Sequence, residues 1–420
     1  MMKLIMFMGG VETLEYFSME IANYLEEKGY EIFWYNLLVG ASETVRLKEY
    51  IDANKGEDFV AFTFNHEGIA GEEGLYYDTK DDYNTIHHVI WDESNVKVIN
   101  MVVDHPLYYH KYHKYLPKNY YQINIDKNHY DYMRLFYPEI KNVSFMLTAG
   151  MELNKNGDII EDCAYLPMDK RDYDIVFTGN FTPKYILQKS IERMGPEYIS
   201  FYENVLQALI DNPKETVEKI GQEALKNEIE DISLKDMKEA MTTFAYCDLA
   251  VRFHYRELII RALTDMDFKV AVVGDGFDLM QIKKRDNLIN LGYGDTRKCL
   301  NYISQAKISL NVMPWFKAGA HDRIFTSMLN GAVLLTDSSE YLEENILNDS
   351  NSIRYDLETL RKYETSGFDI RLLEDLKSEL EDYLTDNEKL SKMANTAYSF
   401  AKNRHDWRAR AKEIEKVYFT

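Results

Sequence analysis

Apolar runs too short to be buried helices recur along this chain, separated by stretches with helical spacing, and this rhythm limits the fold more than any other feature. KLIMFM (3–8), YEIFWYN (30–36), DFVAFTFN (58–65), VKVINMVV (96–103), YYQINI (120–125) and VSFML (143–147) read as strands. Between the first two, Leu14, Phe17, Ile21, Tyr24 and Leu25 recur at helical spacing, predicting a helix over 12–28, and a second helix is expected around 127–136. Most of these strands run apolar without strict alternation, so both faces must be covered. That requires a parallel sheet wound with helices on its two sides.

The pattern fades over 150–172 and then restarts. YDIVFTGN (173–180), KVAVVG (269–274), LINLG (288–292), ISLNVM (308–313) and AVLLTD (332–337) form a second strand series. A charge-rich helical insert is expected over about 183–265, with Phe201, Val205, Leu206 and Leu209 on one face, and residues 370–417 read as mostly helix. The simplest architecture is α/β: two Rossmann-like domains facing across a cleft, joined near residue 165. In open parallel sheets ligands collect beyond the carboxyl ends of the strands, so the loops that follow strands are where chemistry is expected.

Composition narrows the partners. The net charge is −21, from 70 acidic and 49 basic residues. Nucleic-acid binders gain affinity by neutralising phosphates with many Lys and Arg, so no nucleic-acid partner is expected and any phosphate must be held at one local site. Cys163, Cys247 and Cys299 are scattered, which argues against a disulfide framework or a structural zinc site. The amino-terminal apolar run flows into a patterned helix, and no segment has the roughly 18 consecutive apolar residues of a membrane span. A cytoplasmic protein with no membrane span is expected.

One loop stands out. In LNVMPWFKAGAHDRIFTSMLNGAVLLTD (310–337) a strand meets Lys317, Gly319, His321 and Arg323 at the start of a helix that ends at Gly331. On the helical wheel Ile324, Phe325, Met328 and Leu329 form an apolar arc. Asp322, Arg323, Thr326, Ser327 and Asn330 form the opposite arc, expected to face solvent or a cleft. Gly319 allows close approach to the backbone, and the helix start offers free amides and the positive dipole end to an anion. This is a candidate diphosphate seat. Gly274-Asp275-Gly276 is not completed to GxGxxG and is expected to be a tight turn. The Asp172/Asp174 and Asp265/Asp267 pairs are expected to be solvated turns, and no metal dependence is predicted, because basic groups and a helix dipole can neutralise a leaving diphosphate. In the first half, Asp104 and His105 end a buried strand before Pro106. They are candidates to accept a proton from a hydroxyl, and so is His66 in FNHEG (64–68), where Glu67 follows. Gly9 and Gly10, with Glu12, are expected to let the first helix start near an acceptor.

The stretch SLNVMPWFKAGAHDRIFTSMLNGAVLLTDSSEYLEE (309–344) resembles the carboxy-terminal signature of group 1 glycosyltransferases of the CgeB-like type. YDIVFTGNF, VRFHYRELIIRAL, KVAVVGDGF and LGYGDTRKCLNYISQAKISLNVM fall upstream in the family's order, so the likeness spans most of 173–345. The resemblance implies a GT-B fold with an acceptor-side domain over 1–165 and a donor-side domain over 166–400. Residues 401–420, including NRHDWRARAKEIEKVYF, would form a carboxy-terminal helix packing back on the first domain. It also implies that Arg323 and the amides around Ala320 and His321 hold the diphosphate. The turn Gly179-Asn180-Phe181 would sit beside the phosphates or the transferred sugar. Thr326, counted with the donor-binding residues, stands where many relatives carry an acidic residue.

The expected function is therefore transfer of a sugar from a UDP- or GDP-linked donor, with no further cofactor, to a hydroxyl of a protein, glycan or small molecule. The alternatives are another GT-B enzyme, such as a nucleotide-sugar epimerase or polyol-phosphate transferase, or a catalytically silent homologue serving as a binding or scaffold partner.

Overall fold

The computed structural model describes residues 2–80, 85–153, 166–192 and 195–419. Cys163 and the expected domain junction near residue 165 lie outside the described residues. Contacts divide the chain into two compact units, Met1–Thr148 with Trp407–Thr420, and Ala149–Asp406.

Unit 1 contains β1 (Lys3–Met8), β2 (Glu31–Asn36), β3 (Phe59–Phe64), β4 (Tyr76–Lys80), β5 (Thr85–Val89), β6 (Lys97–Val102), β7 (Tyr120–Asn124) and β8 (Asn142–Phe145). Six of these form a parallel sheet in the order β2-β1-β3-β6-β7-β8, with Leu4 opposite both Ile32 and Val60. β3 is buried at every position, the pattern expected of a strand covered on both faces. β4 and β5 make a separate antiparallel hairpin, absent from the sequence reading because its polar, charged strands carry no apolar run. The helices Glu12–Glu27 and Trp407–Tyr418 pack together through Phe17 and Trp407, whose rings lie 4.6 Å apart, and Tyr24 donates to Glu415 at 2.7 Å.

Unit 2 contains β9 (Tyr173–Thr178), β10 (Val270–Val273), β11 (Leu288–Asn290), β12 (Ala306–Asn311), β13 (Val333–Thr336) and β14 (Ser352–Arg354). They form a second parallel sheet in the order β11-β10-β9-β12-β13-β14. β14 is short and polar at its ends, and its sequence gave no strand signal. The helical insert separates β9 from β10 and includes Pro196–Asp211, Val217–Glu228, Leu234–Met241 and Ala245–Asp265. Thr216 and Ser233 begin two of these helices by accepting from the amides of Lys219 and Asp236, an arrangement that satisfies otherwise unpaired donors at a helix start.

Candidate functional site

Strand order in unit 2 reverses at β9, with β10 and β11 on one side and β12, β13 and β14 on the other. Open α/β sheets bind ligands at such a switch point. The loops that meet there follow β9 and β12, and they carry the two motifs singled out in the sequence.

The loop after β9 is locked to the loop after β10. Gly179 donates to the Val273 carbonyl at 2.9 Å, and Phe181 to the Asp275 carbonyl at 2.9 Å. The Asn180 side chain accepts from the Asp275 amide at 3.0 Å. A Cβ on Gly274 would lie 2.4 Å from the Gly179 carbonyl oxygen, and one on Gly276 would lie 2.0 Å from that of Phe181. Gly274-Asp275-Gly276 is therefore a tight turn that braces Gly179, Asn180 and Phe181, as the incomplete GxG motif suggested. Of the Asp-x-Asp pairs, Asp174 pairs with Lys307 and Asp267 with Lys284, while Asp265 accepts from Tyr363.

The loop after β12 runs through Trp315, Lys317 and the buried Gly319 and Ala320 into the helix Asp322–Leu329. His321 stands at the N-cap position of that helix. Its Nε2 lies 3.0 Å from the Arg323 guanidinium, which fixes Nε2 as the acceptor, and its Nδ1 then faces the Asp322 carboxylate at 2.7 Å. Burial, and after it the Arg323 charge, pushes the imidazole below its ordinary pKa, so His321 is neutral. Lys317 donates to the Pro213 carbonyl, tying the loop to the insert.

Two arginines that sequence reasoning did not single out converge here. Arg252 and Arg256 lie one turn apart on the helix Ala245–Asp265 and so share a face. Arg256 donates to the Asn180 carbonyl, and its guanidinium carbon stands 5.0 Å from the centre of the Phe177 ring. Arg323 stands 5.5 Å from the same ring. Arg252 lies 4.3 Å from the Trp315 ring and pairs with the buried Asp248. Burial, then the Arg323 and Arg252 charges, pushes the Arg256 guanidinium well below its usual pKa. Arginine stays charged in proteins, so the physical content of that shift is a concentrated, under-compensated positive potential. Nη1 of Arg323 and Nε of Arg256 are buried with no hydrogen-bond partner among the described residues. A buried charged donor left unsatisfied is costly, and an anion would relieve it.

Asp337, at the end of β13, is the buried counter-charge. Its Oδ1 accepts from the Met313 amide at 2.8 Å, and Tyr355, whose hydroxyl donates to the Asn311 carbonyl at 2.8 Å, lies 3.4 Å away. Burial pushes its carboxyl up to about 6, against the opposing pull of Lys317. The sequence signal for Arg252, Arg256 and Asp337 was present only as stretches within longer motifs. VRFHYRELIIRAL places the arginines at i, i+4, and AVLLTD ends a strand in an acid.

The wheel for Asp322–Leu329 needs correction. Ile324, Phe325, Met328 and Leu329 are fully buried as expected, but so are Thr326, Ser327 and Asn330. The polar arc is covered by the segment 149–153. Thr326 Oγ1 accepts from the Met151 amide at 3.2 Å, and Asn330 accepts from the Leu153 amide and donates to the Met151 carbonyl, each at 2.8 Å. Ser327 bonds to Ser309 at 2.7 Å. Only the first turn, with Asp322 and Arg323, retains exposure.

Residues 256–416 match the family model described as "Glycosyl transferase-like". The whole chain superposes on two solved structures. Against sucrose-phosphate synthase from Thermosynechococcus elongatus the TM-score is 0.53 with 11% identity, covering 100% of this chain and 98% of that one. Against a glycosyltransferase from Rickettsia africae ESF-5 it is 0.50 with 10% identity, covering 99% and 97%. None of the curated proteins compared with the chain matches it. The chain has a GT-B fold. Its segment 256–416 is similar to proteins described as glycosyl transferase-like.

The first Rossmann-like unit of this GT-B chain also has a switch point, between β1 and β3. Gly9, at φ +79°, and Gly10 form the loop after β1; the Gly9 amide donates to Glu15 at 2.7 Å. The Val11 amide donates to Glu67 at 2.7 Å, and a Cβ on Gly10 would fall 2.3 Å from the Glu67 carboxylate. Glu12 is exposed in the first helical turn. His66 is wholly buried among aromatic rings, 5.0 Å from Tyr109 and 5.1 Å from His113, and burial pushes its pKa well down. His105 is also buried, caps the turn at Pro106 by accepting from the Leu107 amide at 3.0 Å, and lies 4.5 Å from the His129 ring. Asp104 is half-buried, its Oδ2 accepting from Asn65 at 3.0 Å and Tyr109 at 3.1 Å.

Proposed function

We propose that the chain is a nucleotide-sugar-dependent glycosyltransferase, working without a metal ion, whose donor diphosphate is held by the switch-point loops of unit 2. One observation carries this reading: buried guanidinium nitrogens of Arg323 and Arg256, lacking partners among the described residues, gather at a helix start beside a braced glycine turn. As the bond to the sugar breaks, negative charge builds on the leaving diphosphate. Fixed arginine donors and helix amides in a dry site stabilise that charge without reorganising.

The acceptor, a hydroxyl of a protein, glycan or small molecule, needs a group to take its proton. Of the three expected candidates we assign Asp104, because His66 and His105 are buried while Asp104 is only half-buried. The donor is a UDP- or GDP-sugar. Titration calorimetry with UDP and GDP tests the donor seat, and release of UDP or GDP from the corresponding nucleotide sugar tests the transfer. Binding of neither nucleotide would overturn the proposal.

A second reading follows from Thr326, which is buried and carries no acid where many relatives do. A catalytically silent GT-B binding partner would tolerate that change. Nucleotide binding without any donor turnover would favour it.

A further inference from the structure

Unit 2 contains a second concavity, adjoining the donor seat and extending beyond it. A cavity of about 630 Å³ opens beyond the carboxyl ends of β13 and β14, with Pro213, Tyr355 and Leu357 among its lining. Its size lies within the roughly 300–1,000 Å³ of small-molecule sites. One rim comes from the turn at Pro213-Lys214, between two helices of the insert, so an element outside the strand–helix repeat shapes the opening.

The charges of the lining decide what fits. Lys214 pairs with Glu358 at 3.1 Å, and Arg354 with Glu343 at 3.2 Å. Lys317, the remaining cation, is tied to the Pro213 carbonyl and drawn electrostatically toward Asp337. Glu340 and Asp356 add further negative charge, and Asp356 is engaged in capping Thr359. The wall is therefore net acidic, with its cations already matched, the opposite of the arginine cluster around Arg323. A phosphate would find repulsion here. A neutral ligand whose groups both donate and accept would find carboxylates to donate to, ammonium groups to accept from, and the Ser338 and Ser339 hydroxyls for either. Sugar hydroxyls have that dual character.

We propose that this cavity is a binding site for a neutral oligosaccharide. It adjoins the donor seat through shared residues: Lys317 stands on the loop that leads to Arg323, and Tyr355 touches both the cavity and Asp337. As a seat for the glycan portion of an acceptor the assignment rests on the transferase reading, whereas saccharide binding itself does not.

The test measures binding without any nucleotide. Saturation-transfer NMR on the full chain uses maltose, cellobiose and lactose as probes, with inorganic phosphate as the anion control. At least one disaccharide is expected to show saturable transfer. Lys214→Ala and Glu340→Gln, both at exposed rim positions that leave the fold intact, are each expected to weaken it about tenfold, the effect of losing one charge-assisted hydrogen bond. UDP affinity in both variants should stay at the wild-type level. Absence of transfer from all three disaccharides overturns the proposal, as does transfer that both variants leave unchanged, or competition by phosphate. Loss of UDP binding in the wild type would count against the donor seat and leave the saccharide site standing.

Discussion

Replacing Arg323 with alanine separates a ligand-holding role from a structural one. In the free protein Arg323 makes one side-chain hydrogen bond, to His321 at 3.0 Å, and leaves Nη1 buried without a partner among the described residues. Arg256 and Arg252 repel it while Asp322 and Asp337 attract it, so its removal relieves repulsion as well as losing that attraction and one contact. A hydrogen bond to a charged group contributes about 1.5–3 kcal/mol. The lost contact and the relieved repulsion are opposed in the free protein, so unfolding stability should change by less than about 1 kcal/mol. In the complex nothing offsets the loss. Arg323→Ala should weaken UDP or GDP binding by about 1.5–3 kcal/mol, roughly ten- to 150-fold. Calorimetric titration at fixed ionic strength, paired with urea unfolding of the free variant, measures both. Unchanged affinity in a folded variant refutes the donor assignment. Equal losses of stability and affinity would make Arg323 a structural residue.

Four further outcomes are expected. Phe325→Ala should cost about 3–5 kcal/mol in urea unfolding, because the ring is fully buried and stacked 4.3 Å from His405. Gly276→Ala should destabilise unit 2 by about 2–3 kcal/mol and weaken nucleotide binding, since the added Cβ meets the Phe181 backbone at 2.0 Å and the residue sits at φ +86°; an unaltered melting temperature would show that the braced turns can part. Asp337 has its carboxyl raised from 3.8 to about 6, so the native state binds its proton more tightly than the unfolded chain does. The cost of keeping it ionised, about 3 kcal/mol above pH 6, should fade as pH falls toward 4; Asp337→Asn should be more stable than the wild type at pH 7.5 and level with it near pH 4, and a gap that ignores pH would contradict this. Asp104→Asn should lower turnover with little change in donor affinity, and full activity would remove Asp104 from the mechanism.

Strand positions were legible because buried parallel strands impose continuous apolar runs, as in FVAFTF of β3. The hairpin of β4 and β5 and the short β14 were not, because their residues are exposed or polar and only pairing defines them. At the candidate site, the local motif around Arg323 could be read from the loop–helix sequence. Arg252 and Arg256 could not, since they arrive on a helix whose last turns precede β10 and meet Trp315, Asn180 and Phe177 only through tertiary packing. The helical wheel erred for a related reason. A wheel shows which face is polar, but it cannot show that a strand-like segment far away in sequence, here 149–153, will supply the hydrogen bonds that let that polar face be buried.

That segment also changes the meaning of position 326. A Cβ on Gly150 would lie 2.5 Å from the backbone of Phe325 and Thr326, so the two stretches of chain touch without intervening side chains. Thr326 is 2% exposed and spends its hydroxyl on the Met151 amide. A carboxylate placed there would be buried against that backbone, at a cost of several kcal/mol unless a cation paired with it. The threonine is thus matched to the close approach of 149–153, and of this helix only the first turn, at Asp322 and Arg323, is left with exposure.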